Sequence, residues 1–119
     1  MARHHETGKK GEAMAMEYFL GLGYMILHQN WRFKHWEVDI IASKAGILHF
    51  IEVKTRNSLK YGYPEENADE KKISKLISAA EQFLYQFPEW QRIQFDILAI
   101  NIDAKTGDPA FFLIEDVYL

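Results

Sequence analysis

Two short runs, Glu37-Val38-Asp39-Ile40-Ile41 and Phe50-Ile51-Glu52-Val53-Lys54, carry acids and a lysine inside stretches otherwise built of Val, Ile and Phe, at the spacing Asp-x12-Glu-x-Lys. Both alternate with a period of two, which sets Glu37 and Asp39 on one side of a first strand and Glu52 and Lys54 on one side of a second. A two-residue turn at Ala45-Gly46 closes them into a hairpin with Asp39 across from Glu52 and Glu37 across from Lys54. The opposite face then pairs Val38 with Val53 and Ile40 with Ile51 as a core face. Opposed carboxylates repel, so this register asks for compensation. A divalent cation supplies it: hard oxygen ligands suit Mg2+ or Mn2+, and Mg2+ uses only one or two protein carboxylates, completing its shell with water and substrate phosphate. That is a phosphodiesterase site in outline. The structural alternative is a Glu37–Lys54 cross-strand ion pair, with Asp39 and Glu52 at the solvated edge of a half-exposed sheet.

Other elements must hold these strands. Residues Gly11 to Leu20 read as a helix ending at Gly21-Leu22-Gly23, and Glu12 lies at the end of its apolar stripe with Ala15, Met16 and Phe19 following. An acid in a first helical turn complements the helix dipole; here it is also placed to lean over the strand pair as a third acidic group. Tyr24 to His28 reads as a strand, Asn30 to Trp36 as a connection, and Asn57 to Glu66 as a long binding loop without periodicity. A second helix begins at Asn67-Ala68-Asp69-Glu70, a capping box, and carries Ile73, Leu76, Ile77, Ala80, Phe83, Leu84 and Phe87 as a core stripe ended by Pro88. Phe95 to Ile102 and Ala110 to Glu115 read as a strand hairpin. The order helix, three strands, helix, two strands predicts an α/β domain with a mixed central sheet flanked by α-helices.

With 119 residues and 48% hydrophobic content, the chain suffices for one domain spanning residues 1–119. The absence of cysteine excludes disulfides and thiolate metal sites and fits a reducing, cytoplasmic setting. The polar N-terminus lacks a signal core and no apolar run reaches membrane-spanning length, so no membrane association is expected. A net charge of −3 argues against a protein that coats nucleic acid by bulk charge, leaving local basic clusters. No phosphate-binding loop, no His-x3-His pair and no Gly-x-Ser-x-Gly elbow is present. His49 is expected to be a packed or edge histidine rather than a zinc ligand.

The ordered set Gly8 with Gly11-Glu12, Asn30-Trp31-Arg32, Glu37-Val38-Asp39-Ile40-Ile41 and Phe50-Ile51-Glu52-Val53-Lys54-Thr55-Arg56 resembles the YraN-like family of small bacterial proteins. More broadly it resembles the PD-(D/E)XK nuclease superfamily, including archaeal Holliday junction resolvases. The match continues through Tyr61-Gly62, Lys72, Ala80 with Leu84, and Phe95-Asp96. Trp36 stands where the family usually has Gly, and Gln94 where it usually has Arg. The resemblance implies a restriction endonuclease-like core and a metal-dependent nuclease acting on nucleic acid, foremost DNA and branched DNA, with Mg2+ or Mn2+ as cofactor. It implies Asp39 and Glu52 as metal ligands aided by the Val53 carbonyl, with Glu12 or Glu37 reaching the metal directly or through water. Lys54 then orients the attacking water and stabilises transition-state charge, since neighbouring carboxylates favour its charged form. Arg32, Arg56, Lys60 and Lys72 are candidates for phosphate contacts, and Tyr61 or Trp36 for stacking on an exposed base. A nucleic-acid- or partner-binding module with the same fold and no catalysis is the alternative, and monomer and homodimer are both open.

Overall fold

The computed structural model describes residues 2–58 and 70–117, with side chains from Gly8 to Asn57 and from Ile73 to Val117. Its elements are α1 (Ala2–Gly21), β1 (Met25–Phe33), β2 (Trp36–Lys44), β3 (Ile47–Ser58), α2 (Glu70–Gln86), β4 (Ile93–Asp103) and β5 (Pro109–Ile114). The expected order of elements is the observed one. Three boundaries differ, one of them at the expected Asn57 to Glu66 loop: β3 runs on through Asn57 to Ser58, and the rest of that loop lies outside the described residues. Helix α1 begins well before Gly11, and the stretch expected to connect strands is mostly strand, with β1 running to Phe33 and β2 starting at Trp36. Lys34 adopts φ 57 in the tight turn between them, a conformation that let two polar residues do the work of a longer loop. The proposed capping residues Asn67 to Asp69 lie outside the described residues.

The five strands form one sheet in the order β1-β2-β3-β4-β5. All neighbours are antiparallel except β3 and β4, which run parallel because α2 carries the chain across a face of the sheet between them. Each face is therefore covered. On one side Ala15 and Phe19 of α1 pack with Ile40, Ala42, Ile51, Leu98 and Ile100. On the other, Leu76, Ala80 and Phe83 of α2 pack with Val38, Ile41, Leu48 and Phe50. This explains why β4 is apolar and buried almost throughout: a central strand covered on both faces has no solvated side to alternate with.

The β2–β3 hairpin turns at Ala45-Gly46, with positive φ at both residues (52 and 80), as a tight two-residue turn favours. Its pairs run from Lys44↔Ile47 to Ile40↔Ile51, the expected register. The expectation of a single core face is corrected. Ile40, Ile51 and Val53 face the α1 side, whereas Val38 packs on the α2 side. Alternation therefore breaks between Val38 and Ile40, at Asp39 itself. On the neighbouring strand, Gln29↔Ile40 and Trp31↔Val38 place Asn30 opposite Asp39, and Asn30 adopts φ 53. A local backbone irregularity of this kind re-aims a side chain without ending the sheet.

Candidate active site

Where β2 and β3 stop pairing, Asp39 takes over. In a continued ladder Val53 would bond to the backbone of Val38. Instead the Val53 N–H donates to Asp39 Oδ2 at 2.7 Å, so the carboxylate replaces a backbone acceptor at the fork of the two strands. Burial pushes the Asp39 carboxyl up from 3.8 to about 6. The Val53 N–H pulls in the opposite direction, while Glu52, Glu37 and Glu12 each add repulsion that pushes it further up. Four acids from three elements thus share one electrostatic neighbourhood, and these are the acids singled out from the sequence.

Glu12 reaches this neighbourhood because α1 sits almost on β3. A Cβ built on Gly11 would lie 1.9 Å from Thr55 Oγ1, so only glycine lets the helix approach this closely. The Gly11-Glu12 pair is one device: the first residue brings the helix in, and the second places a carboxylate beside the strand. Glu37 does not follow the ion-pair alternative. Its Oε2 accepts a bond from Arg32 Nε at 2.8 Å, directly across the β1–β2 ladder, rather than pairing with Lys54. Glu52 is half-buried, and its Oε2 is buried with no hydrogen-bond partner; among the described residues only Asn101 Oδ1 shares that condition. Such an atom is costly unless something else satisfies it.

Lys54, two residues beyond Glu52, is half-buried. Arg32 is exposed on β1, and Arg56 is exposed at the end of β3 opposite Asn101. Lys60 and Tyr61 lie outside the described residues, as does the side chain of Lys72. Among the described residues no three or more His, Cys, Asp or Glu side chains are gathered tightly enough to hold a metal ion by themselves. The arrangement is two carboxylates at a strand fork with two more acids nearby, all of them hard oxygen donors.

A second polar centre was not foreseen. His49 Nδ1 donates to Asp96 Oδ2 at 2.7 Å, both side chains being almost fully buried. Asp96 Oδ1 accepts further bonds from Gln94 Nε2 and the Asp116 N–H, each at 2.9 Å. The Tyr24 ring meets His49 edge-on at 5.0 Å, and burial, with Asp96 next in size, raises the Tyr24 hydroxyl above its usual value. The sequence did carry a signal for it: one His and one Asp interrupt otherwise apolar runs on strands that turn out to be neighbours.

Fold and site together define an α/β protein with a mixed five-stranded sheet between two helices, carrying a carboxylate cluster at the β2–β3 fork. The pattern of the Uncharacterised protein family UPF0102 matches residues 11–100, and the chain belongs to that family. It is 44% identical over 119 residues to a UPF0102 protein of Flavobacterium johnsoniae, covering 97% of this chain and 93% of the relative. A UPF0102 protein of Bacteroides thetaiotaomicron is 41% identical over 100 residues, covering 84% and 83%. One from Chlorobium limicola is 41% identical over 105 residues, covering 87% and 81%. No helix among the described residues is long and apolar enough to cross a membrane.

Proposed function

We propose that this protein is a Mg2+- or Mn2+-dependent nuclease with a restriction endonuclease-like core of the PD-(D/E)XK kind, hydrolysing phosphodiester bonds in nucleic acid, with DNA and branched DNA as the foremost substrates. The observation that carries the proposal is the electrostatic imbalance at the fork. Asp39 is crowded by three other carboxylates, and Glu52 presents a buried oxygen that nothing among the described residues satisfies. A divalent cation answers both at once, so the residues fit the group. Asp39 and Glu52 would hold it with the Val53 carbonyl, and Glu12 and Glu37 would reach it directly or through bound water.

When bound, the cation supplies a water of lowered pKa and neutralises charge on phosphate oxygens. The protein's own residues supply the rest. Lys54 orients the attacking water and donates to the oxygen that gains charge. Arg32 keeps Glu37 in place through Nε while its exposed guanidinium carries further N–H groups for a phosphate. Arg56 is a further candidate for phosphate contact, and Lys60, Lys72 and Tyr61 remain candidates, from the sequence alone, for phosphate contact and base stacking.

Cleavage of labelled duplex, single-stranded and four-way-junction DNA, and of RNA, with Mg2+ or Mn2+ tests the proposal. Metal-dependent cleavage lost in Glu52→Gln supports it, and cleavage surviving that substitution or chelation overturns it. A second reading, a module that binds nucleic acid or a partner without cleaving, is favoured by the lack of a preassembled three-ligand cage among the described residues. It predicts binding that is indifferent to Glu52→Gln and to metal.

A further inference from the structure

The tip of the β1–β2 hairpin carries three aromatic rings in near-parallel array. Trp31 and Phe33 lie with planes 12° apart and centroids at 6.5 Å, and Phe33 and Trp36 with planes 10° apart at 6.2 Å. The geometry follows from the strands. Trp31 and Phe33 are two residues apart on β1, and Phe33 is the cross-strand partner of Trp36. The inner end of the array is anchored, because Trp31 meets Phe83 of α2 edge-on at 5.3 Å. Trp36 packs in part against the α2-side core and Phe33 lies outside both core clusters, and each ring stays partly exposed.

A cation lies at this array: Lys34 Nζ sits over the Phe33 ring at 5.7 Å, and His35 packs beside Trp36 at 4.9 Å. Arg32, exposed and bonded to Glu37, projects from the other face of the same hairpin. Lys34 holds φ 57 at the turn, where glycine carries no steric penalty. A strained lysine at an exposed tip is more readily explained by its charge than by the fold. From Trp36 to Asp39 is three residues of strand, about 10 Å at the usual rise. That distance spans about three stacked base steps.

We infer that the hairpin tip, Trp31 to Trp36, is a binding platform for unpaired nucleotides, with Phe33 and Trp36 stacking on bases and Lys34 meeting the adjoining phosphates. Near-parallel rings beside a lysine match a single strand, whose bases offer π-faces and whose backbone offers charge; a fully paired duplex withholds the first. The inference deepens the nuclease reading by naming the substrate as nucleic acid with unpaired bases beside the fork.

The test is binding of a fluorescein-labelled oligo-dT, its RNA counterpart and a blunt duplex of equal length, in low salt with chelator so that metal plays no part. The expected result is tighter binding of both single strands than of the duplex. Trp36→Leu and, separately, Phe33→Leu should weaken single-strand binding by about tenfold or more each. Lys34→Gly should raise the melting temperature by relieving the turn, yet weaken binding and flatten its salt dependence. Circular dichroism melts identify any variant that fails to fold, and the Lys34→Gly result stands without the two aromatic variants. Equal affinity for duplex and single strand, or undiminished binding in the folded leucine variants, would overturn the inference. Mn2+ titration of the unmodified protein by calorimetry, without nucleic acid, reports separately on the nuclease reading: no metal binding would sink that reading while leaving the platform standing.

Discussion

Asp39 and Asp96 are both acids set into apolar strands of one sheet, and they are held in opposite ways. Asp96 is fully buried and accepts bonds from the His49 ring, the Gln94 amide and the Asp116 backbone. Asp39 has the Val53 N–H at 2.7 Å and three repelling acids around it. Burial alone disfavours a carboxylate's charged form, and donors restore it. Where donors were supplied, the acid ties together β3, β4 and the segment after β5. Where they were not, the site is left in want of positive charge. The first pattern is what structure requires of a buried acid, and the second is what a binding site tolerates.

Removing the well-held acid should therefore do the greater damage. Asp96→Ala strips His49 and two further donors of their acceptor, and loss of one partner from such a buried pair costs about 3–5 kcal/mol. Urea unfolding at neutral pH should show a loss of that order. A variant as stable as the parent would mean that the His49–Asp96 centre is not structural and would break the contrast.

Asp39→Asn should act in the opposite direction. The substituted amide keeps an oxygen for the Val53 N–H and removes the charge that its neighbours repel. Because folding raises this carboxyl from 3.8 to about 6, the native state holds the proton more tightly than the unfolded chain does. The resulting stability is fully present below pH 3.8 and is lost as pH rises through about 6. A shift of this size corresponds to about 3 kcal/mol as an upper figure. Metal-free Asp39→Asn should then be more stable than the parent at pH 7.5, by up to that amount, with the advantage shrinking toward pH 4. Paired denaturant melts across that range check it, and a gap independent of pH would show that Asp39 is not the strained group.

The sequence made the strained acid legible and left the satisfied one as two unconnected signals, a lone His and a lone Asp in apolar runs, for a physical reason. Asp39 and Glu52 announce themselves through period-two spacing and a short turn, both local properties that survive without tertiary information. The turn at Ala45-Gly46 set the register correctly. Asp96 and His49 are 47 residues apart, and only the parallel pairing of β3 with β4 brings them together. Similarly, the break in alternation at Asp39 depends on Asn30 across the ladder and on a second helix covering the other face. A rule that reads one strand at a time assigns Val38 to the wrong side. Gly11 was visible as part of a motif, but its purpose, the contact with Thr55, became clear only from the packing of α1 on β3.

Cation binding sharpens the same contrast. Mg2+ or Mn2+ should stabilise the protein in proportion to occupancy, by about 1.4 kcal/mol at a tenfold excess over the dissociation constant. It should also lower the pH at which Asp39 titrates, since an adjacent cation favours the charged form. Glu52→Gln should abolish both responses and leave the His49–Asp96 centre untouched. Thermal melts with and without Mn2+ provide the first measurement, and carboxyl-resolved NMR titration the second. An undiminished response in Glu52→Gln would remove Glu52 from the site.

Glu37 completes the scale as an acid whose partner is exposed. The Arg32 side chain in its 2.8 Å ion pair is 73% exposed, and that of Glu37 is 36% exposed. Solvent screens such a pair, and exposed ion pairs are worth about 0–1 kcal/mol. Arg32→Ala should thus change stability least of all the substitutions considered, with a melting curve close to the parent's. Its effect should appear in binding. If the guanidinium meets a phosphate as well as Glu37, the slope of log affinity against log salt should fall in magnitude by about 0.7 for a single strand and about 0.9 for duplex DNA. A stable variant with a reduced slope separates the two roles of Arg32. An unchanged slope would confine it to holding Glu37 and would move the phosphate contact to Lys34 or Arg56.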